Sequence, residues 1–426
     1  MKKIEFPYGK EKVIHCFPED ELISVLESKI EEYSPKKTET DLIEESLLNP
    51  IDSPPLSELA KGKKSVVIIA SDHTRPVPSK YIIPLMLREI RKGIPKAEIT
   101  ILIATGCHRQ TTKDELVAKF GQEIVDNETI LIHNCDDSGS LDCIGTLPSG
   151  GSCEINKIAL EADLLVAEGF IEPHFFAGFS GGRKSVLPGI ASRSTVLANH
   201  CSEFIASPFA RTGILKENPI HRDMLWASET AGLSFIVNVV LNGKKEVIFS
   251  VSGHPEKAHS EGVSFLNSLC CVDAIPANIV ITTNGGYPLD QNVYQAVKGM
   301  TAAEACVEAG GVIIMLAKSS DGVGGDHFFH QLADEKDIDN TMDLFLRRNR
   351  DETVPDQWQT QILLRVLKKA RVIYVSDVDA ETIKKMHMIP SDSLKKAISL
   401  AKSLLPNKKT RILAIPDGVS VIVKEK

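Results

Sequence analysis

The sequence lacks the features that would place it in a membrane, on nucleic acid or outside the cell. No apolar run approaches the ~18 residues of a membrane span. The start, MKKIEFPYGKEKV, has no apolar stretch behind its lysines, so we expect no secretory signal. The 49 Lys and Arg residues are outnumbered by 57 Asp and Glu residues, and the net charge of −8 argues against a wide phosphate-binding face. We therefore expect a cytoplasmic protein without membrane or nucleic-acid partners.

Short metal and cofactor motifs are also missing. None of the nine scattered cysteines forms a C-x-x-C pair, so neither a zinc knuckle nor a thioredoxin-type motif is present, and we expect reduced thiols. No G-x-G-x-x-G follows a strand, which argues against a standard NAD site. The segment 178–185 resembles a P-loop, but Arg183 stands where the second glycine is required, and this weakens the alternative of a P-loop kinase.

The order of apolar and amphipathic segments predicts an α/β fold. Hydrophobic residues make up 42% of the chain and charged residues 25%, which is typical of globular proteins. Its 426 residues correspond to roughly two to three domains. Short β-branched runs alternate with amphipathic helices, so we expect mostly parallel, Rossmann-like sheets. The predicted strands lie at 65–70, 98–104, 129–133, 162–167, 278–283, 312–317, 372–375 and 411–415.

Two domains follow from this pattern. We place the first at residues 1–270 and the second at 275–411, and we expect the tail, 412–426, to return to the first. Asn242-Gly243 between two apolar runs predicts a β-hairpin at a mixed sheet edge. Residues 291–297 and 302–309 are predicted as two separate helices.

Unusual polar residues follow four of the predicted strands. They lie at Asp72–Arg75, at Cys107–Arg109 with His108 in the middle, at His174 and at 284–298. Ligands of open α/β sheets bind beyond the carboxyl ends of strands, so these positions predict an active site. Two histidines on different strand ends are suited to reversible proton transfer, because imidazole titrates near neutrality. The alternative is that each histidine only stabilises its loop.

The remaining candidates are single polar residues. Lys184, in a glycine-rich segment, is a candidate for a phosphate contact, for a covalent attachment point or for a solvated residue. His200 is a candidate metal ligand, although one histidine is a weak signal. Arg75, Gln295 and Lys298 offer donors for a carboxylate. Tyr294, Gln295 and Lys298 fall within one helical turn, and the alternative is a solvated helix face.

Five blocks of the sequence resemble the nickel-dependent lactate racemase family. The blocks are SDHTRPVPSK, GCHR, EPHFFAGFSGGRKSVLPGIAS, Asn199-His200 and NGGYPLDQNVYQAVKGM, and they occur in order over nearly the whole chain. The resemblance implies a nickel-pincer cofactor, Ni(II)-pyridinium-3,5-bisthiocarboxylate mononucleotide, that is made by separate maturation proteins and tethered to Lys184. It implies His200 as the nickel ligand, and Asp72, His73, Thr74 and Arg75 as cofactor contacts.

The same resemblance implies the reaction. His108 and His174 match the two acid/base histidines, Gln295 and Lys298 match substrate contacts with Arg75 near the carboxylate, and Tyr294 and Trp358 resemble pocket lining. D- and L-lactate would interconvert by hydride transfer to the cofactor, through bound pyruvate. The first domain would then bind the cofactor and the second the substrate, with the site between them. Racemisation or epimerisation of malate or a longer 2-hydroxy acid, or a non-catalytic nickel-cofactor carrier, stays open.

Overall fold

The computed structural model describes residues 1–96 and 98–424. Its strands are β1 (Lys2–Tyr8), β2 (Glu11–Phe17), β3 (Leu22–Val25), β4 (Ser65–Ser71), β5 (Glu98–Ala104), β6 (Thr129–Ile132), β7 (Leu141–Thr146), β8 (Ser152–Asn156), β9 (Leu164–Phe170), β10 (Pro173–His174), β11 (Gly178–Phe179), β12 (Leu233–Leu241), β13 (Val247–Gly253), β14 (Cys271–Asp273), β15 (Ala277–Thr283), β16 (Val307–Leu316), β17 (Arg371–Val375), β18 (Ile389–Ser391), β19 (Ile412–Ile415) and β20 (Ile422–Lys424).

The helices are α1 (Glu39–Leu48), α2 (Leu56–Ala60), α3 (Ser79–Gly93), α4 (Lys113–Phe120), α5 (Gln122–Asn127), α6 (Lys157–Leu160), α7 (Arg193–Asn199), α8 (Ser202–Ala206), α9 (Pro219–Thr230), α10 (Pro255–Cys270), α11 (Val293–Cys306), α12 (Asp326–Ala333), α13 (Ile338–Arg347), α14 (Gln357–Lys369), α15 (Ala380–Lys385) and α16 (Leu394–Ser403). Within the described ranges, no helix combines the length and apolar character needed to cross a bilayer.

The chain forms two compact units, each with its own main sheet. The N-terminal unit comprises Ile30–His200 and Ser207–Ser268. The C-terminal unit comprises Met1–Lys29, Cys201–Ala206 and the described residues from Leu269 onwards. The main sheet of each unit has six strands, and most of these run parallel. The predicted α/β fold with mostly parallel sheets is confirmed.

The main sheet of the N-terminal unit has the strand order β13-β12-β9-β4-β5-β6. Only β13 among these strands runs antiparallel to its neighbour. Every residue from Val66 to Ala70 in β4 is buried, as expected for a strand covered on both faces. Helix α3 buries Ile82, Met86 and Ile90 in the same core. Since β9, β4 and β5 are parallel neighbours, their carboxyl ends lie at one edge of the sheet.

The hairpin predicted from Asn242-Gly243 is present, but its turn is longer than two residues. Leu241 of β12 pairs with Val247 of β13, so residues 242–246 form the connection. Lys245 adopts a φ of 67°, and its amide donates to the Asn242 carbonyl. The Asn242 side chain accepts from the amides of Lys244 and Glu246, which favours this wider turn.

The prediction that the tail 412–426 returns to the first domain is wrong for its described part. Strand β19 inserts between β15 and β3 in the C-terminal sheet, which has the order β18-β17-β16-β15-β19-β3, and β20 pairs with β14. Residues 1–29 also belong to this unit, so the domain 1–270 begins too early. The physical reason is that β15 has an edge without another partner in this sheet. The apolar strand β19, whose residues are all buried, pairs with that edge. Residues 425 and 426 lie outside the described residues.

The two helices predicted at 291–297 and 302–309 form a single helix, α11, and β16 follows it directly. Gly299, which lies between the two predicted stretches, is inside the helix. A Cβ at this position would lie 2.4 Å from the carbonyl oxygen of Thr283. The glycine therefore permits close packing of α11 on the end of β15 and does not interrupt the helix.

Candidate active site

The sheet topology of the N-terminal unit brings three of the predicted polar segments to one edge. Asp72–Arg75 follow β4, His108 follows β5 and His174 lies after β9. These strands are adjacent, with β4 between the other two. The edge that carries them is where ligands of parallel sheets bind.

A buried carboxylate, Asp72, pairs with the exposed imidazole of His108. The Asp72 side chain is 1% exposed, and its Oδ2 lies 2.8 Å from His108 Nδ1. Its Oδ1 accepts from the Thr74 hydroxyl (2.6 Å) and the Thr74 amide (3.1 Å). Burial opposes ionisation, but the hydrogen bonds from His108 and Thr74 outweigh it, so the pKa of Asp72 is lowered. An ionised Asp72 requires the proton of neutral His108 on Nδ1, which leaves the lone pair on Nε2.

The other residues of this segment have different surroundings. The exposed Arg75 side chain donates to the Thr74 hydroxyl (3.0 Å). The His73 ring instead interacts with Thr111 Oγ1 at 3.0 Å, just before α4. His73 is therefore tied to the start of a neighbouring helix, while Arg75 and Thr74 extend the network of Asp72.

His174 has the opposite hydrogen-bond pattern from His108. Its Nδ1 accepts the backbone N–H of Ala177 at 3.2 Å. In the neutral ring the proton is then on Nε2, so the two histidines offer different groups at Nε2. His108 presents an acceptor and His174 presents a donor.

The Phe176 ring lies against three of the predicted site residues. Its centroid is 4.5 Å from the His174 ring and 5.1 Å from the His200 ring, with edge-on geometry in both cases. Lys184 Nζ lies 5.9 Å from the same centroid. Phe176 is 4% exposed and was not selected from the sequence. The pair of aromatic residues directly after His174 was the available signal.

His200 is held as a neutral imidazole. It follows the last residue of α7 and is 6% exposed. Burial, and then the charge of Lys184, lower the pKa of His200 to about 3. A neutral imidazole is the form that binds metal ions. No group of three or more His, Cys, Asp or Glu side chains suited to a metal was found among residues 1–96 and 98–424.

The glycine-rich segment packs against protein at several of its glycines. Gly178 and Gly181 have φ angles of 77° and 82°, which favour glycine. A Cβ on Gly178 would lie 2.4 Å from the Ile214 carbonyl oxygen, and one on Gly181 would lie 2.6 Å from Asn238 Oδ1. The Gly182 amide donates to the same Asn238 oxygen at 2.8 Å. These contacts account for the glycines by close backbone packing.

The C-terminal unit carries a second group of predicted residues on α11. Asn292 caps this helix by accepting the Gln295 amide at 2.9 Å, which places Tyr294, Gln295 and Lys298 in its first two turns. Tyr294 interacts with the Trp358 side chain. Burial, together with the nearby Asp356 carboxylate, raises the pKa of the Tyr294 hydroxyl.

Two family models match the chain in succession. The model described as the lactate racemase N-terminal domain matches residues 8–213, and the model described as the lactate racemase C-terminal domain matches residues 272–423. The chain belongs to the lactate racemase family. The resemblance predicted from the five sequence blocks is confirmed.

Members of the lactate racemase family match over the full length. A lactate racemase from Thermoanaerobacterium thermosaccharolyticum is 54% identical over 427 residues, and one from Lactiplantibacillus plantarum is 52% identical over 425, each covering 100% of both chains. The solved lactate racemase apoprotein from T. thermosaccharolyticum matches at a TM-score of 0.96 and 53% identity, with 100% of both chains covered. A Thermotoga maritima protein, at 19% identity, matches 92% of this chain and 100% of its own with a TM-score of 0.66, which shows the fold alone.

Two further histidines of this family member lie beside a buried arginine. Arg183 is 2% exposed and donates to the carbonyl oxygens of Ala177 (2.8 Å) and Gly181 (3.3 Å). Burial and the charge of Arg183 lower the pKa of His221 and of His259 to about 3. Both rings are therefore neutral in the folded protein at neutral pH.

These neutral histidines predict a loss of stability in mild acid. The unfolded chain binds protons at pH values below about 6.5, where the folded rings do not, so stability falls as the pH drops from 6.5 towards 3. Each ring lowers the free energy of unfolding by roughly 1.4 kcal/mol per pH unit in this window. Thermal unfolding near neutrality and at about pH 5 measures this loss. His259→Gln should make the pH dependence shallower, and an unchanged slope would contradict the assignment.

Proposed function

We propose that this chain is a lactate racemase that interconverts D- and L-lactate. The observation that carries the proposal is the arrangement in the N-terminal unit. The Asp72–His108 pair offers a proton acceptor, and the Phe176 ring holds a second histidine near Lys184 and His200. The proton acceptor is needed to remove a proton from a hydroxyl group. Lys184 and His200 are needed to retain a metal-containing organic cofactor.

The residues present fit the nickel-pincer mononucleotide. A buried His200 that stays neutral supplies a lone pair for nickel, and the half-buried Lys184 supplies an amine for covalent attachment. Asp72, His73, Thr74 and Arg75 are proposed as further cofactor contacts, with maturation proteins supplying the group. Bound there, the group would accept hydride from the substrate Cα and return it.

His108 takes the hydroxyl proton in this proposal. Its Nδ1–H donates to Asp72, so its Nε2 lone pair is the acceptor. As the proton arrives, the ring becomes an imidazolium whose charge the adjacent carboxylate stabilises. Asp72 thus fixes the tautomer before the transfer and stabilises the product of the transfer.

His174 serves the other enantiomer. As described, its Nε2–H can donate to the oxygen of a planar keto acid such as pyruvate, and so stabilise charge on that oxygen. To accept a proton at Nε2, the ring must first carry its proton on Nδ1. The Ala177 amide then has to release Nδ1. The two neutral histidines are therefore different tautomers. For the step to balance, the histidine that accepts the hydroxyl proton must be neutral, and the histidine that protonates the product oxygen must be an imidazolium.

The remaining roles concern the substrate. Arg75 offers a planar pair of donors for the carboxylate, and Lys298 and Gln295 are proposed as further substrate contacts. Tyr294 and Trp358, which interact with each other, are proposed as pocket lining.

A chiral assay of the matured protein tests the proposal. Protein produced with the maturation proteins is given D- or L-lactate, malate and longer 2-hydroxy acids, each with deuterium at Cα. We expect lactate to racemise fastest and deuterium to remain on carbon. Faster turnover of malate or a longer acid would reassign the substrate. Nickel retention without turnover of any 2-hydroxy acid would indicate a carrier.

A further inference from the structure

A buried carboxylate joins the two ends of the segment that carries Asp72. Glu168, in β9, is 2% exposed. Its Oε1 accepts from the Ser71 amide (3.2 Å), the Ser71 hydroxyl (3.1 Å) and the Ser79 hydroxyl (2.7 Å). Ser71 is the last residue of β4 and Ser79 is the first residue of α3. One oxygen atom therefore fixes both ends of the connection 72–78.

Lys119 in α4 holds the middle of the same connection. Its ammonium donates to the carbonyl oxygens of Arg75 (3.1 Å) and Val77 (3.4 Å). Burial lowers the pKa of Lys119, and the negative charges of Glu168 and Asp72 oppose this shift. The ammonium is thus close enough to interact with both carboxylates. The connection 72–78 is irregular backbone, so these side-chain contacts supply restraints that a helix or strand would otherwise provide.

Stability alone does not explain Glu168. Its second oxygen, Oε2, is buried and accepts no hydrogen bond from any residue that the structure describes. A buried carboxylate with an unsatisfied oxygen reduces stability compared with an apolar residue of similar size. The three hydrogen bonds to Oε1 restrain Ser71 and Ser79, which lie on either side of the connection that carries Asp72. Asp72 in turn contacts His108 at 2.8 Å.

We propose that Glu168 is a positioning residue that fixes both ends of the 72–78 connection and so keeps Asp72 on Nδ1 of His108. It touches neither reacting atoms nor His108 itself. The restraint keeps the proton of neutral His108 on Nδ1 and the lone pair on Nε2. The catalytic consequence rests on the proposed racemase function, whereas the tautomer of His108 can be measured without turnover.

Histidine ¹⁵N spectra of the full-length protein test this directly. Long-range ¹H–¹⁵N correlations show which ring nitrogen carries the proton, and His108→Gln assigns the signal. We expect the Nδ1–H form in the unsubstituted protein and a mixture with Nε2–H in Glu168→Ala. Matured Glu168→Ala should lose about 10²-fold in kcat, because the acceptor is misplaced.

Two more variants keep the test decisive. Ser79→Ala removes a single hydrogen bond and should also raise the Nε2–H fraction, even if Glu168→Ala does not fold. Glu89→Ala is the matched control, because Glu89 is a buried acid (6% exposed) in α3 whose partners, Arg88 and Lys92, lie on the same helix. It should keep the Nδ1–H form. An unchanged tautomer in Glu168→Ala or Ser79→Ala overturns the proposal, whether or not lactate is racemised.

Discussion

Lys184→Arg is expected to prevent covalent attachment of the cofactor and to abolish racemisation. Arginine keeps the positive charge beside Phe176, but its guanidinium stays protonated and does not act as a nucleophile. Intact-mass spectra of protein produced with the maturation proteins should show one adduct on the unsubstituted chain and none on the variant. Activity should fall by at least about 10³-fold, because the hydride acceptor is lost altogether.

The control for this experiment is Lys80→Arg, an exposed position in the same unit. It should carry the adduct and full activity. Peptide spectra that locate the adduct on a residue other than Lys184 would contradict the attachment site. If the unsubstituted protein gave no adduct after production with the maturation proteins, the cofactor assignment itself would be wrong.

His108→Ala and His174→Ala should each abolish interconversion in both directions. Positioned acid/base groups contribute about 10²–10⁴-fold, and each histidine is needed for one face of the substrate. The two enantiomers have equal free energies, so kcat/KM must remain equal in the two directions for every variant. Any asymmetry between the histidines therefore appears in kcat and KM separately, measured from each pure enantiomer.

His330→Ala is the matched control, because this histidine is 65% exposed and its partner, Asp334, lies one turn away on the same helix. It should leave both rates unchanged. Near-normal rates for either His108→Ala or His174→Ala would exclude a mechanism with two proton-transfer groups. A smaller effect of His174→Ala than of His108→Ala would indicate that His174 acts mainly as a hydrogen-bond donor.

The ends of the strands were predicted well because the change from apolar to polar residues that marks them is local in sequence. Apolar runs such as 65–70 end abruptly in polar residues, and parallel strands place such ends together. The family blocks added the proposed roles of Lys184 and His200, which no spacing rule supplied. Sheet membership was harder: the apolar residues 412–415 indicate a strand, but they do not indicate which sheet edge is open.

Contacts between distant residues explain the other omissions. Glu168 lies near the end of the apolar run LLVAEGF, and the sequence does not show whether this acidic side chain is buried or exposed at the end of the strand. Its partners Ser71 and Ser79 are far away in sequence. The glycines at 178 and 181 lie in the segment that resembles a P-loop. The structure explains them by close contact with Ile214 and Asn238, which belong to other parts of the chain.

The position of β3 has a consequence for the order in which the protein is made. Leu22 pairs with Ile412, so the outer strand of the C-terminal sheet must wait for almost the whole chain to leave the ribosome. The N-terminal unit has all of its sheet strands by residue 253 and can complete its sheet earlier. During synthesis β1 and β2 can pair with each other, but β3 remains without its partner. Phe6 and Phe17, which pack in the core of the C-terminal unit, also remain exposed to chaperones or to aggregation until that core forms.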